Sequence, residues 1–193
     1  MEYVKQIIQD ILTMLYQYSG VSIICSVLII LVWKQAEEDS WKSIWVRLKI
    51  LLQDHSWRKR FFFVLYIVFV LQRTIFNRGP WGNPLGNVVG NWWFIQNGSP
   101  NYEMYENILL FIPLYPFVKT CETEHRAKWI ERCGCWDVIA VPFVCSFAIE
   151  MVQLLFRVGT WQLSDLFYNT LGGVVGGLIY YIGYKIKHRG KTI

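Results

Sequence analysis

Apolar positions in this chain fall into long blocks separated by charged or Gly/Pro-rich stretches. Residues 14–33 contain no charged side chain. A second block, residues 61–76, follows Arg58, Lys59 and Arg60 and carries one charge, Arg73, near its far end. A third, 104–118, is short and holds Pro113 and Pro116; a fourth, 136–156, holds Pro142; a fifth covers 166–184. Several approach the roughly 20 residues that a helix needs to cross a bilayer. The pattern predicts an all-α membrane protein, a bundle of about five transmembrane helices. Four spans plus a re-entrant segment at the third block is the rival arrangement. Prolines inside the third and fourth blocks are compatible with spans when neighbouring helices satisfy the freed carbonyls. The first block is too long for a signal-peptide core and no small-residue cleavage site follows it, so it reads as a retained span.

The connecting segments alternate in charge. Between the first two blocks lie Lys34, Lys42, Arg47, Lys49, Arg58, Lys59 and Arg60; between the second and third there is only Arg78. Lys119, Arg126, Lys128 and Arg132 fill the next connection, Arg157 alone the one after, and Lys185, Lys187, Arg189 and Lys191 the tail. Cytoplasmic loops carry the Lys/Arg excess in membrane proteins, so this alternation predicts an N-terminus outside and a C-terminus in the cytoplasm. In the first basic loop, Trp41, Ile44, Trp45, Leu48, Leu51 and Leu52 follow helical spacing, which predicts an amphipathic helix at the inner interface. The chain divides accordingly into residues 1–57, a span plus the interfacial helix; 58–185, the transmembrane core; and 186–193, a basic tail.

Composition agrees. Of 193 residues, 54% are hydrophobic, 17% aromatic and only 17% charged, which excludes a disordered chain. The formal net charge of +5 needs no nucleic-acid partner, because the basic residues sit where membrane topology puts them. Membrane lipids are the partners this composition implies.

Charges inside spans are costly unless paired or facing a wet cavity, so each marks a candidate site. They are few. Arg73 ends the second block; Glu150, Gln153 and Arg157 follow i, i+3, i+7 spacing on the fourth, a single helix face. Glu150 lies about 10 Å deeper than Arg157. Asp165 and Asn169 open the fifth block and Asn107, beside Glu106, opens the third. The predicted topology places all of them in the outer half of the membrane, which implies one polar pocket open outward. Glu150 suits acid–base work, Arg73 and Arg157 suit a phosphate or carboxylate, and Asp165 suits orienting a partner or a cation. Asn107, Gln153 and Asn169 would complete a ligand set. The competing expectation is an ion-pair network, Arg73 with Glu150 and Arg157 with Asp165, that only fixes helix packing. Arg73 is the expected partner of Glu150 in either case.

Three spaced motifs are more specific. Asn107-Ile-Leu-Leu-Phe111-Ile-Pro113, then Glu150-Met-Val-Gln153, then Arg157 and Asp165-Leu-Phe-Tyr-Asn169-Thr-Leu-Gly172-Gly173-Val-Val-Gly176, resemble the bacterial VanZ-like family. Arg73 on the preceding block fits the same pattern, and the resemblance covers about residues 60 to 184. Beyond Pro113 the chain has Leu114 and Tyr115 where many members carry Gly. The resemblance implies a polytopic protein of the bacterial cell membrane, from a family whose founding member is linked to low-level resistance to teicoplanin. That antibiotic binds cell-wall precursors on the outer face, so a lipid-linked envelope precursor or a glycopeptide is an implied partner.

Other features carry less. Cys121, His125, Cys133 and Cys135 cluster in the second basic loop at a spacing that matches no common zinc module, and they read as reduced thiols rather than a metal site. The sequence leaves any cofactor unknown. Gly172, Gly173, Gly176 and Gly177 form two overlapping G-x-x-x-G pairs, expected to pack the fifth span against the fourth. The segment from Asn77 to Phe94 is rich in Gly, Asn and Trp, a composition that suits an interface or a platform for sugar rings. No GxSxG, HExxH or Walker motif is present. A membrane enzyme on an envelope lipid and a non-catalytic binding or accessory protein both remain open.

Overall fold

A computed structural model describes residues 2–37, 46, 49, 53–96, 99–121 and 136–188. The predicted interfacial helix and the Cys/His cluster of the second basic loop lie outside the described residues, the Cys121 side chain included. Among the described residues the regular elements are helices, with one short antiparallel ladder, β1 (Ile95–Gln96) with β2 (Ser99–Pro100), and irregular connections over 77–94 and 157–162.

Helix α1 (Glu2–Glu37) has 36 residues, about 54 Å at 1.5 Å per residue. It begins well before residue 14, because Tyr3, Val4, Ile7, Ile8, Ile11 and Leu12 keep its first turns apolar despite Lys5 and Asp10. Helix α2 (His55–Leu71) is capped by Asp54, whose carboxylate accepts from Ser56 N at 2.8 Å. It runs straight into one π-helical turn, Gln72–Phe76, marked by Asn77 N donating to Gln72 O at 3.1 Å.

The third block is a broken helix rather than one span. Helix α3 (Tyr102–Phe111), capped by Asn101, ends before Ile112–Pro113, and α4 (Leu114–Cys121) resumes after it. Proline has no N–H and its ring clashes with the preceding turn, so the break falls there. The Tyr66 hydroxyl on α2 donates to Leu110 O at 2.9 Å and satisfies a carbonyl beside the break. Tyr66, Val70, Leu110, Phe111 and Leu114 form the core at this crossing. Helix α5 (Asp137–Phe156) tolerates Pro142, and α6 (Leu163–His188) completes the bundle.

The glycines of α6 serve two neighbours. A Cβ at Gly172 would run into the Ile108 carbonyl and one at Gly176 into the Ile112 carbonyl, both on the α3 side. Gly173 and Gly177 face Pro142 and Val138 of α5. The expected packing against α5 therefore accounts for one pair; the other lets the broken segment sit backbone-to-backbone on α6.

Helix α1 (over Tyr3–Gln35) and α5 are long and apolar enough to cross a membrane, and only 22% of each apolar window is buried inside the bundle. A soluble core helix would bury most of such a surface. Tyr16, Val32, Val144, Phe156 and Ile179 turn outward instead.

The two ends of the bundle differ. One gathers aromatic rings and cations: Lys34 Nζ lies 4.3 Å from the Trp57 ring centroid, Arg60 4.8 Å from the same ring, and Trp33 meets Trp57 edge-on at 6.3 Å. The other carries the segment after α2, folded onto the α5–α6 link. Trp81 N donates to Arg157 O at 2.7 Å, Trp161 N to Pro84 O at 2.9 Å, and Leu163 N to Val88 O at 2.9 Å.

Candidate functional site

The chain converges on one polar region at the end opposite the Lys34–Trp57 cluster. Each functional side chain is placed there by a local feature. The π-helical turn shifts the end of α2 so that Arg73 reaches α3, where its guanidinium donates to the Glu106 carboxylate in an ion pair. Asp10 of α1 lies beside the same carboxylate. The expected Arg73–Glu150 pair is therefore replaced by Arg73–Glu106. Spacing had placed Arg73 and Glu150 at similar depth, but the azimuth of α2 turns Arg73 toward α3 instead of α5.

Glu150 is 2% exposed. Its Oε2 accepts from the backbone N of Gln162 at 3.1 Å, at the entry to α6. A carboxylate at a helix N-terminus satisfies an orphan N–H and opposes the positive end of the dipole. Asp165, 5% exposed, sits in the first turn of the same helix. Asp165 and Arg78 are the charged groups that act on Glu150, and Asp165 itself feels Arg78, Glu103 and Arg73, with the Asn107 amide facing it. The cation serving both buried carboxyls is thus Arg78, a residue of the outer segment.

Gln153 is 1% exposed and its Nε2 donates to Thr74 O at 2.7 Å. That carbonyl belongs to the π turn, so Gln153 ties α5 to the turn that presents Arg73. One layer deeper, Asn169 Nδ2 donates to Ser146 Oγ at 3.0 Å and joins α6 to α5. Gln153 Oε1 and Asn169 Oδ1 are buried and accept no hydrogen bond among the described residues.

Arg157 departs from the face expected of it. It adopts the left-handed conformation, φ 54° and ψ 40°, as the C-cap of α5, and its side chain is exposed. The helix ends before the i+7 position, so the shared face stops at Gln153. No Arg157–Asp165 ion pair forms among the described residues, and Arg78 is the main cation acting on Asp165.

A cavity of about 600 Å³ opens at this end. Of the residues singled out from the sequence, Arg73 lines it; Arg78, Trp81, Asn87, Glu103 and Gln162 line it as well. Glu150 and Asp165 do not line it; Glu150 lies behind the wall through the Gln162 backbone N–H. Arg78 packs across Gly159, whose φ of 84° leaves no room for a Cβ beside the guanidinium. The sequence held one pointer to Arg78: it is the lone cation of an otherwise cation-free connection. Glu103 and Trp81 gave none, since an exposed Glu in a first helical turn and an interfacial Trp are ordinary.

These features define an all-helical bundle with two membrane-capable helices, a broken helix packed on a glycine face, and a charged chamber at one end. The chain belongs to the VanZ/LLP1 family, whose pattern matches residues 20–184. It is similar to Protein VanZ of Enterococcus faecium, with 28% identity over 86 residues, 45% of this chain and 47% of that protein. The match thus spans about half the length of that curated relative. No solved structure matches the chain.

Proposed function

We propose that this protein is a multi-pass bacterial cell-membrane protein, N-terminus outside and C-terminus cytoplasmic, whose outward chamber binds a cell-envelope lipid or wall precursor and contributes to glycopeptide (teicoplanin) resistance. The observation that carries the reading is the chamber of about 600 Å³ with Arg73 and Arg78 in its wall, at the end of the bundle away from most of the described Lys and Arg. The positive-inside rule makes that end the outer one. Membership of the VanZ/LLP1 family and similarity to Protein VanZ support the link to resistance. The buried carboxyls Glu150 and Asp165 are the candidates for proton transfer; their place behind the wall favours binding over catalysis.

The test compares a glycopeptide-susceptible host expressing the wild-type chain with one expressing Arg78→Gln at equal membrane level. Teicoplanin tolerance should rise with the wild type and fall back with the variant, and mass spectrometry of co-purified lipids should show an envelope lipid retained by the wild type alone. A variant that protects as well as the wild type and retains the same lipid overturns the reading.

A second reading, a non-catalytic scaffold or accessory protein, is favoured by one set of contacts. Glu150 with Gln162, Gln153 with Thr74, and Asn169 with Ser146 each spend a buried polar group on another part of the chain. Under that reading, Glu150→Gln lowers the amount of folded protein and leaves the residual activity per molecule unchanged.

A further inference from the structure

We infer that the group entering the outer chamber is an uncharged sugar rather than a phosphate; this rests on the ligand-binding reading above. The two guanidinium groups of the wall suggest an anion site, but the charge around them is already balanced. Arg73 is paired with Glu106, and Asp10 lies beside that pair. Arg78 faces Glu150 and Asp165, and Glu103 lines the same wall. With Glu150 and Asp165 both ionised, the described carboxylates outnumber Arg73 and Arg78. With each guanidinium already facing carboxyls of the chain, the chamber lacks the free cationic pair that a phosphate or pyrophosphate needs when it leaves water.

What the wall does offer is the equipment for hydroxyl groups. Trp81 is 54% exposed and lines the chamber, and its backbone is fixed by the 2.7 Å bond to Arg157 O and the Pro80–Val158 bridge. An indole on a main chain anchored at the chamber presents a large flat apolar face, which suits the C–H face of a pyranose. Around it stand the amide of Asn87, the Thr160 hydroxyl, the Gln162 amide and the Glu103 carboxylate. The three neutral groups combine donors and acceptors and the Glu103 carboxylate adds an acceptor, a mixture that a sugar's alternating hydroxyls can use. Gln162 is oriented by its own bonds, Nε2 to Thr160 Oγ1 at 2.6 Å and Oε1 from Ser164 Oγ at 3.3 Å. A volume of about 600 Å³ is within the range of small-ligand sites.

The experiment uses the full chain in lipid nanodiscs, free of glycoside detergents, and saturation-transfer NMR. The probes are a neutral N-acetylhexosamine disaccharide and inorganic pyrophosphate. The disaccharide should receive saturation and bind in the millimolar range, Trp81→Ala should weaken it about tenfold, and Trp93→Ala, outside the chamber, should leave it unchanged. Pyrophosphate should neither bind nor displace it. Pyrophosphate binding that Arg78→Gln abolishes, with no disaccharide signal, overturns the sugar inference and keeps the chamber as a ligand site. Absence of both signals also overturns it, and the teicoplanin comparison with Arg78→Gln then decides separately whether the chamber binds a ligand at all. If Trp81→Ala reduces folded protein, Trp81→Phe, which keeps an aromatic face, should retain binding; its loss counts against stacking.

Discussion

Replacing Gln153 by Leu separates two roles that sequence spacing leaves joined. The side chain is 1% exposed and its Nε2 lies 2.7 Å from Thr74 O. Leucine has a similar volume and fills the same space, so the main loss is one interhelical hydrogen bond and the satisfaction of a buried carbonyl in the π turn. An unsatisfied buried carbonyl costs about 1–3 kcal/mol in a soluble protein. Interhelical hydrogen bonds between membrane helices average about 0.6 kcal/mol and reach about 1.7, because a helix separated from its neighbours in lipid still finds partners. The relevant reference here is the second, and the carbonyl lies in a turn that lacks the regular α-helical ladder, so the expected cost is about 1–2 kcal/mol. That is roughly a tenfold shift in the unfolding equilibrium. Reversible SDS unfolding in bicelles, followed by tryptophan fluorescence, measures it. Gln153→Glu should cost more than Gln153→Leu, since it removes the donor and adds a carboxyl near Glu150. Ligand binding per folded molecule should fall only as far as Arg73 loses its position. A Gln153→Leu protein with the wild-type midpoint and no ligand binding would show that Gln153 contacts the ligand directly and that the clamp argument is wrong.

Other expectations are as direct. Arg73→Gln and Glu106→Gln should each destabilise by about 2–4 kcal/mol by leaving a largely buried partner uncompensated, and the double variant should recover part of the loss; additive costs would mean that the ion pair carries no coupling. Gly172→Ala and Gly176→Ala should each cost about 2–3 kcal/mol, because the new methyl group meets backbone carbonyls that cannot rotate away. Gly20→Ala and Gly183→Ala, where nothing lies within 4 Å of a built Cβ, should be neutral or stabilising by about 0.5–1 kcal/mol; thermal melts of all four in one detergent check the contrast. A reporter active only in the cytoplasm, fused after Ile193, should be active; activity only of a periplasmic reporter there would invert the bundle and move the chamber to the inside.

Much of the architecture was legible in the residues because its causes are local. Runs of apolar residues report which segments can tolerate lipid, and the alternation of basic and cation-poor connections reports which ends share a side. The cost of a charge in a span makes Arg73, Glu150 and Asp165 conspicuous wherever they fall. The Asn107, Glu150–Gln153 and Asp165–Asn169 motifs carried the family. What spacing along a helix cannot supply is rotation about the helix axis or contact between segments distant in sequence. Depth alone made Arg73 the partner of Glu150; the π turn and the azimuth of α2 gave it to Glu106. Helical periodicity carried Arg157 onto the Glu150 face, but the left-handed cap of α5 removed it. Glycine spacing indicated a close contact, and only packing divided it between Ile108 and Ile112 on one side and Pro142 and Val138 on the other. Arg78 entered the site through the folding of a connecting segment, whose course is set by backbone hydrogen bonds to Arg157, Trp161 and Leu163 that no local pattern announces. The sequence determined which groups must be kept from lipid and at which end they gather; the tertiary structure decided which of them face one another, because pairing in three dimensions depends on helix rotation and loop course, to which a one-dimensional period is blind.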